Sequence, residues 1–162
     1  RCRCILANRR GNRRRRSLDC GAGASLKDAL TKTVSGTSGG RMKAVIDTNI
    51  LVDYLSGHPP ARTELSRYRQ PIVSLITWME VLVGARETDE ERILRDFLNR
   101  FEILPVDEPV AEEAVLLRRT HRIRLPDAII LATARVAGCL LVTRNTRDFP
   151  ADEPGIRVPY QL

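Results

Sequence analysis

The sequence predicts an α/β domain with a mostly parallel sheet of four to five strands flanked by helices. Two observations support this fold class. Short apolar runs of four or five residues alternate along the chain with longer segments in which apolar residues recur at helical spacing. Residues that cap or end helices separate the two kinds of segment. Strands that alternate with helices pack as parallel strands joined by right-handed helical crossovers.

The charge distribution divides the chain at about Met42. Residues 1–41 contain nine Arg and two Lys against two Asp, whereas residues 42–162 contain 16 basic and 18 acidic residues. The first part is rich in Gly and Ser and has no sustained apolar periodicity, so it is predicted to be a disordered basic tail. Three interpretations of the tail are open: an RNA-binding arm, a targeting segment, or translated sequence upstream of a true start at Met42. Residues 42–162 are predicted to form one domain.

The first predicted strand, 42–46, is an apolar run that is β-branched at its end, as buried strands are. It stops at residues 47–49, Asp-Thr-Asn, which all favour helix N-caps. A helix follows and ends at Gly57, because glycine readily stops a helix. His58 and two prolines then open a second helix that runs to about Tyr68.

A second strand is predicted at 71–74, and the strongly apolar segment 75–85 follows it at helical spacing. Thr88 and Glu91 have the separation of a capping box, in which each side chain bonds the other residue's backbone N–H. This motif predicts a further helix, which carries an apolar stripe to about Phe101.

A third strand at 102–106 leads into a helix at 107–121, in which apolar residues recur every three or four positions. Pro126 suits the first position of the next helix, which runs to Gly138. Two further strands are predicted, one apolar throughout as if covered on both faces and one short at a sheet edge: 139–143 and 155–158.

The sequence contains no apolar run of the roughly 18–20 residues that a membrane span needs. Residues 1–41 also lack the apolar segment of a secretory signal. One cysteine, Cys139, lies in residues 42–162, so no disulfide is expected within the domain, in agreement with a reducing compartment. A cytoplasmic protein without a membrane span is therefore expected.

Three acidic residues are of interest because each begins or interrupts an apolar helix. Asp47 leaves the first strand at the edge where parallel α/β sheets place their sites. Glu80 lies within the apolar segment 75–85, where a carboxylate is costly to bury unless it is paired or binds a metal. Asp127 follows Pro126 in the first turn of a helix whose neighbouring positions are apolar.

A structural role is open for each acid alone. Asp47 would cap a helix, Asp127 would interact with a helix dipole, and Glu80 would face solvent in a stripe with Thr77 and Gly84. Together, however, the three acids can converge at one edge of the sheet, without a Cys or His cluster. An oxygen-only site of this kind suits Mg²⁺ or Mn²⁺, which serve phosphate chemistry.

Five segments make the domain recognisable, and they occur in the order VIDTNILVDYL (45–55), SLITWMEVLVGA (74–85), LPDAIILATA (125–134), LVTRNTRDF (141–149) and GIRVPY (155–160). They resemble the four motifs and the C-terminus of PIN-domain ribonucleases and, within that family, the VapC toxins of bacterial toxin–antitoxin pairs. The resemblance covers residues 42–162 and none of the tail. It implies a three-layer PIN fold and an endoribonuclease that depends on Mg²⁺ or Mn²⁺.

In enzymes of this family three acids hold the metal ions, and the resemblance assigns these roles to Asp47, Glu80 and Asp127. The fourth motif often carries another acid at the place where this chain has Asn145, which brings no charge. Asp148, three residues on, is expected either to substitute in part for that acid or to cap the next turn. Side chains placed to support the ligands by hydrogen bonds are Thr48, Asn49 and Thr143.

The expected reaction is hydrolysis of an RNA phosphodiester bond by a metal-activated water, which leaves a 5′-phosphate and a 3′-hydroxyl. Arg144 and Arg147 flank the fourth motif and are expected to contact RNA phosphates. A second basic group precedes the third motif, and the alternative for that group is a solvated helix end favoured by the dipole. Its members are Arg118, Arg119, Arg122 and Arg124.

The resemblance also implies homodimers and a cognate antitoxin protein. The antitoxin is expected to insert an Arg or Lys among the acids and to lay a helix on the first two helices, near Leu51, Tyr54 and Leu65. Two other functions stay open. One is a catalytically weak or inactive PIN-fold binding module, because Asn145 replaces an acid. The other is a haloacid-dehalogenase-like phosphatase, which needs a second Asp where this chain has Asn49.

Overall fold

The computed structural model describes residues 43–149 and 153–162, so the interpretation of residues 1–41 as a basic tail lies outside the described residues. The strands are β1 (Ala44–Ile46), β2 (Pro71–Ser74), β3 (Glu102–Leu104), β4 (Leu140–Val142) and β5 (Ile156–Arg157). The helices are α1 (Thr48–Leu55), α2 (Pro59–Leu65), α3 (Leu75–Val83), α4 (Thr88–Leu98), α5 (Glu108–His121) and α6 (Leu125–Val136). Within these ranges no helix is long and apolar enough to cross a membrane.

The five strands form one all-parallel sheet in the order β3-β2-β1-β4-β5. β1 lies at the centre, where Ala44 pairs with Pro71 of β2 and Ile46 pairs with Val142 of β4. From β1 the chain first builds β2 and β3 on one side and later crosses back to build β4 and β5 on the other. Open α/β sheets bind ligands where the strand order reverses in this way, beyond the carboxyl ends of the strands.

Helices cover both faces of this sheet and produce the predicted three layers. Ala44 and Ile46 pack on one face with side chains of α1, α2 and α4, and Val45 packs on the other face with side chains of α5 and α6. Successive residues of a strand point to opposite faces, which explains why β1 is apolar throughout. The predicted α/β fold with a parallel sheet of four to five strands is confirmed.

One expectation about the first face is wrong. Leu51, Tyr54 and Leu65 do not offer a surface for an antitoxin helix, because all three are buried in the core of this chain. Tyr54 stacks on Phe97 of α4, with 5.3 Å between the ring centroids. The apolar side of α1, part of the surface that was expected to bind an antitoxin, is therefore covered by α4 of the same chain.

The predicted start of α4 is also wrong. Thr88 is the first helical residue and not the N-cap, which is Glu87, and Glu87 makes no side-chain cap hydrogen bond. Glu91 does not reach back to close a capping box, because its carboxylate accepts from the guanidinium of Arg95, one turn later, at 2.6 Å. The spacing of a capping box therefore occurs here without its hydrogen bonds.

Candidate active site

The carboxyl end of β1 carries the first of the predicted site residues. Asp47 follows Ile46 directly, and its backbone N–H donates to the carbonyl oxygen of Val142 in β4 at 3.0 Å. Asp47 is also the N-cap residue of α1, although the sequence allowed Thr48 or Asn49 to fill that role. Its side chain is 4% exposed and lies at the point where the strand order reverses.

Three neighbours hold the Asp47 carboxylate. Oδ1 accepts the backbone N–H of Thr48 at 2.6 Å, and Oδ2 accepts Nδ2 of Asn49 at 2.5 Å and the hydroxyl of Thr143 at 2.6 Å. Thr143 is buried and follows β4, so two adjacent strands fix one side chain. These three residues are the ones that the sequence assigned to support the ligands, and each contacts Asp47.

Glu80 lies on α3 and is held from α1. The Thr48 hydroxyl donates to Oε2 of Glu80 at 2.7 Å, so Thr48 contacts both Asp47 and Glu80. Thr77, one turn before Glu80, is fully buried, whereas Glu80 and Gly84 are half-buried, so the alternative in which this stripe of α3 faces solvent is wrong for Thr77. The side of α3 that carries Thr77 and Glu80 therefore contacts α1 and is only partly open to solvent.

Like charges meet in this site. Burial raises the pKa of Asp47 to about 6, the hydrogen bond from Thr143 opposes that rise, and the charges of Asp127 and Glu80 add to it. Burial also raises the pKa of Asp127, and the charges of Asp148 and Glu80 raise it further. The charges of Asp47, Glu80 and Asp148 thus act on Asp127 or on one another across this site.

Asn145 and Asp148 act as a pair in the turn after β4. The side-chain amide of Asn145 donates to Oδ2 of Asp148 at 2.8 Å, and the backbone N–H of Asn145 donates to the hydroxyl of Thr143 at 2.9 Å. Asn145 therefore links Asp148 to the residue that holds Asp47. The charge of Asp148 raises the pKa of Asp127, and its role in place of the acid absent at Asn145 stays a prediction.

The donors in this site are oxygens, which suit hard divalent cations. In residues 43–149 and 153–162, no group of three or more acidic, His or Cys side chains is gathered closely enough to hold a metal ion. Mg²⁺ keeps several of its waters and is commonly bound through one or two carboxylates. The residues thus fit a hydrated Mg²⁺ or Mn²⁺ held by one or two acids, and the assignment of three acids as ligands stays a prediction.

Asp53 on α1 is a buried acid that the sequence reading missed. Its carboxylate forms a two-point ion pair with the guanidinium of Arg144 and accepts the hydroxyl of Tyr160 at 3.1 Å. The Arg144 guanidinium is therefore bound within the fold, and its contact with RNA phosphate stays a prediction, as does that of the exposed Arg147. The sequence did contain a signal for this buried acid. Asp53 interrupts the apolar stripe of α1, as Glu80 interrupts that of α3.

Comparison with known proteins identifies the same region of the chain. The family model of the PIN domain matches residues 44–151. The chain is 29% identical over 119 residues to the tRNA(fMet)-specific endonuclease VapC of Shigella flexneri, covering 67% of this chain and 90% of that protein. It is 33% identical over 125 residues to Ribonuclease VapC10 of Mycobacterium tuberculosis, covering 73% of this chain and 93% of that protein.

Solved structures show the same architecture. A toxin–antitoxin complex from Klebsiella pneumoniae contains a chain that is 46% identical, with a TM-score of 0.70, covering 74% of this chain and 99% of that one. FitAcB from Neisseria gonorrhoeae contains a chain that is 26% identical, with a TM-score of 0.62 and coverage of 74% and 99%. The similarity therefore extends over nearly the whole of each matched chain.

Proposed function

This chain belongs to the PIN-domain family, and from that premise we propose that it is a ribonuclease and the toxin of a toxin–antitoxin pair. The relatives named above are ribonucleases of the VapC type, and a similar solved chain belongs to a toxin–antitoxin complex. Membership of the PIN family removes the haloacid-dehalogenase-like alternative. The observation that carries the proposal is the buried carboxylate of Asp47 at the carboxyl end of β1: burial raises its pKa to about 6, and the charges of Asp127 and Glu80 contribute to that rise.

The proposed enzyme is an endoribonuclease that depends on Mg²⁺ or Mn²⁺. Asp47, Asp127 and Glu80 would hold the ion, one or two of them directly and the rest through its waters, because their mutual repulsion is relieved by a divalent cation. When bound, the ion would offset charge on the phosphate and lower the pKa of a water. Hydrolysis would form a bond between the water oxygen and phosphorus and break the bond from phosphorus to the 3′-oxygen, leaving a 5′-phosphate and a 3′-hydroxyl.

The residues around the acids position them for this reaction. Thr143 and Asn49 fix the direction of the Asp47 carboxylate, and Thr48 fixes Glu80 relative to it. The carboxylates would then already be in position when RNA binds. Binding energy would not be spent on ordering them and would remain available for the chemical step. Asn145 would contribute by orienting Asp148 rather than by bringing charge of its own.

The decisive experiment is a cleavage assay with the full chain, structured RNA, and either Mg²⁺, Mn²⁺ or a chelator. We expect cleavage with either ion and none in chelator. Asp47→Asn and Asp127→Asn should each reduce cleavage to background while the unfolding temperature shows an intact fold. Asp96→Asn is the matched control, because Asp96 is an exposed aspartate on α4. Equal cleavage in chelator would exclude the metal mechanism.

A catalytically inactive binding module is the second candidate, and the Asn145 substitution favours it. That candidate predicts RNA retention without cleavage under every metal condition. Asn145→Asp distinguishes the two functions, because an added carboxylate beside Asp148 should strengthen ion binding in an enzyme. Cleavage that appears only in Asn145→Asp would show that the natural chain is a binding module.

The proposed toxin would act in the cytoplasm, as a homodimer, and would be inhibited by a cognate antitoxin that inserts an Arg or Lys among the acids. The physical reason is that a cation from the partner relieves the same repulsion that a divalent ion relieves. Co-expression with the protein encoded beside it, followed by cleavage assays and mass measurement of the complex, tests this. If replacing each basic residue of the partner leaves inhibition unchanged, steric occlusion alone explains the inhibition.

A further inference from the structure

Four arginines without ion-pair partners surround the short connection between α5 and α6. We call Arg118, Arg119, Arg122 and Arg124 the arginine turn. All four side chains are exposed, and none forms a salt bridge with any residue that the structure describes. Six other arginines of the domain do pair with carboxylates, although not every remaining arginine does: Arg67, Arg92, Arg95, Arg135, Arg144 and Arg157. Four positive charges within seven residues repel one another, and an anion would relieve that repulsion.

Two arginines of the turn occupy positions that the backbone disfavours for arginine. Arg122 has φ 55°, the left-handed region that favours glycine or asparagine. Arg124 is the N-cap residue of α6, yet its side chain makes no cap hydrogen bond. A cation at a helix N-terminus also meets the positive end of the helix dipole, where Ser, Thr, Asp or Asn would stabilise the helix. Local stability therefore does not account for arginine at either position.

The alternative of a dipole-stabilised helix end explains only half of the turn. Arg118 and Arg119 lie in the last turn of α5, where cations are favourable. Arg122 and Arg124 lie beyond that helix end. Residues that break local preferences in this way are expected at functional sites, because the chain keeps them for their chemistry and not for the fold.

The arginine turn borders the acidic site. Three residues separate α5 from α6, so the last turn of α5 lies beside the first turn of α6, which carries Asp127. The positive charge of Arg124 acts directly on the Asp127 carboxylate. An acidic site repels a phosphodiester backbone, so a neighbouring basic surface is needed to hold RNA there.

We propose that the arginine turn binds backbone phosphates of the RNA substrate next to the bond that is cleaved. The proposal rests on the proposed ribonuclease function. It assigns phosphate contacts to a surface with free guanidinium groups, whereas Arg144 directs its guanidinium to Asp53. Such contacts do not read bases, so the turn would contribute affinity and orientation and not sequence preference.

The test uses Arg122→Gly combined with Arg124→Ser in the full chain, because glycine suits the left-handed position and serine suits the N-cap. We expect an unfolding temperature equal to or above that of the natural chain, together with a KM for RNA raised about tenfold. The slope of log affinity for RNA against log salt concentration should become shallower by about 1.4. This is the change expected for two lost phosphate contacts on a single strand. Arg69→Gln is the matched control, since Arg69 is exposed and precedes β2, at the amino ends of the parallel strands.

A second measurement needs no cleavage. Hydrogen exchange of the full chain in chelator should slow at residues 118–124 when a short single-stranded RNA is added, and should not slow at the control position. Protection there without cleavage in any metal would support the arginine turn and contradict the ribonuclease proposal. If the double variant cleaves RNA with unchanged KM and salt dependence, the proposed role of the arginine turn in RNA binding is wrong. Protection of residues 118–124 by the partner protein and not by RNA would also overturn it.

Discussion

Asp47 combines burial, three hydrogen bonds and repulsion from neighbouring acids at a single carboxylate. Its pKa of about 6 in the folded chain lies above the ordinary value of 3.8. The folded state therefore binds this proton more tightly than the unfolded state does. The ionised carboxylate lowers stability above about pH 6, and that cost is relieved as the pH falls from about 6 toward 3.8.

Asp47→Asn should therefore stabilise the fold while abolishing activity. In chelator at pH 7.5 we expect the free energy of unfolding to rise by about 1–2 kcal/mol, less than the full pKa shift implies, because an amide satisfies fewer of the three donors. The gain should disappear near pH 4. Urea denaturation of both proteins at the two pH values measures it, and a variant less stable than the natural chain at pH 7.5 would contradict the electrostatic account.

Thr143 tests how far a hydroxyl controls the same carboxylate. Thr143→Val keeps the shape of the side chain but removes the hydrogen bond that opposes the rise in the pKa of Asp47. Cleavage at pH 7 should fall about tenfold, as expected for one hydrogen bond to a charged group, and the acid limb of the pH–rate profile should move to higher pH. Thr143→Ser should restore both properties. A loss of activity without movement of the profile would indicate a purely structural role.

At the scale of elements, a buried acid on α2 holds the short edge strand β5 in place. Glu64 of α2 accepts from Nε of Arg157 at 2.6 Å and from the hydroxyl of Tyr68 at 2.6 Å. Burial opposes ionisation of Glu64, but the hydrogen bonds from Arg157 and Tyr68 outweigh it and hold its pKa below the usual 4.5. The side chain thereby ties the C-terminal segment to α2.

Glu64→Gln should destabilise the domain by about 2 kcal/mol, because a neutral amide loses the charge-assisted hydrogen bonds and leaves Arg157 without its partner. The stabilisation from Glu64 is complete above pH 4.5 and is lost as the pH falls below that value, the opposite sign to Asp47. Chemical denaturation at pH 7 measures the effect. Glu112→Gln, on the exposed side of α5, serves as the control and should change stability little; equal losses in both variants would contradict the assigned role.

At the scale of the whole molecule, the charge division at Met42 predicts that the first 41 residues add no packing to the domain. Thermal unfolding of residues 42–162 should then match that of the full chain, and the shorter chain should cleave RNA with the same metal dependence. Scanning calorimetry of both forms measures this. A decrease of several degrees on truncation would show that the tail contacts the domain.

The order and type of the elements were predictable because the signals are local. Pro71–Ser74 was predicted to the residue, and the ends of α1 and α6 lie within two residues of the glycines that were expected to stop them. The failures have different causes, one local and one distant. The capping box failed because Glu91 binds Arg95, and the antitoxin surface failed because α4 covers it.

The sequence by itself determined the fold class, the order of strands and helices, and the choice of Asp47, Glu80 and Asp127 as candidate site residues. Apolar periodicity, caps and glycines act over a few residues, so these signals can be identified in a single sequence. Only the tertiary structure decided which groups touch: Thr143 binds Asp47 across 96 positions, and Arg144 binds Asp53 across 91. Apolar spacing shows that a position is buried but not what lies against it, so only the packing of the elements decided which charged side chains form ion pairs.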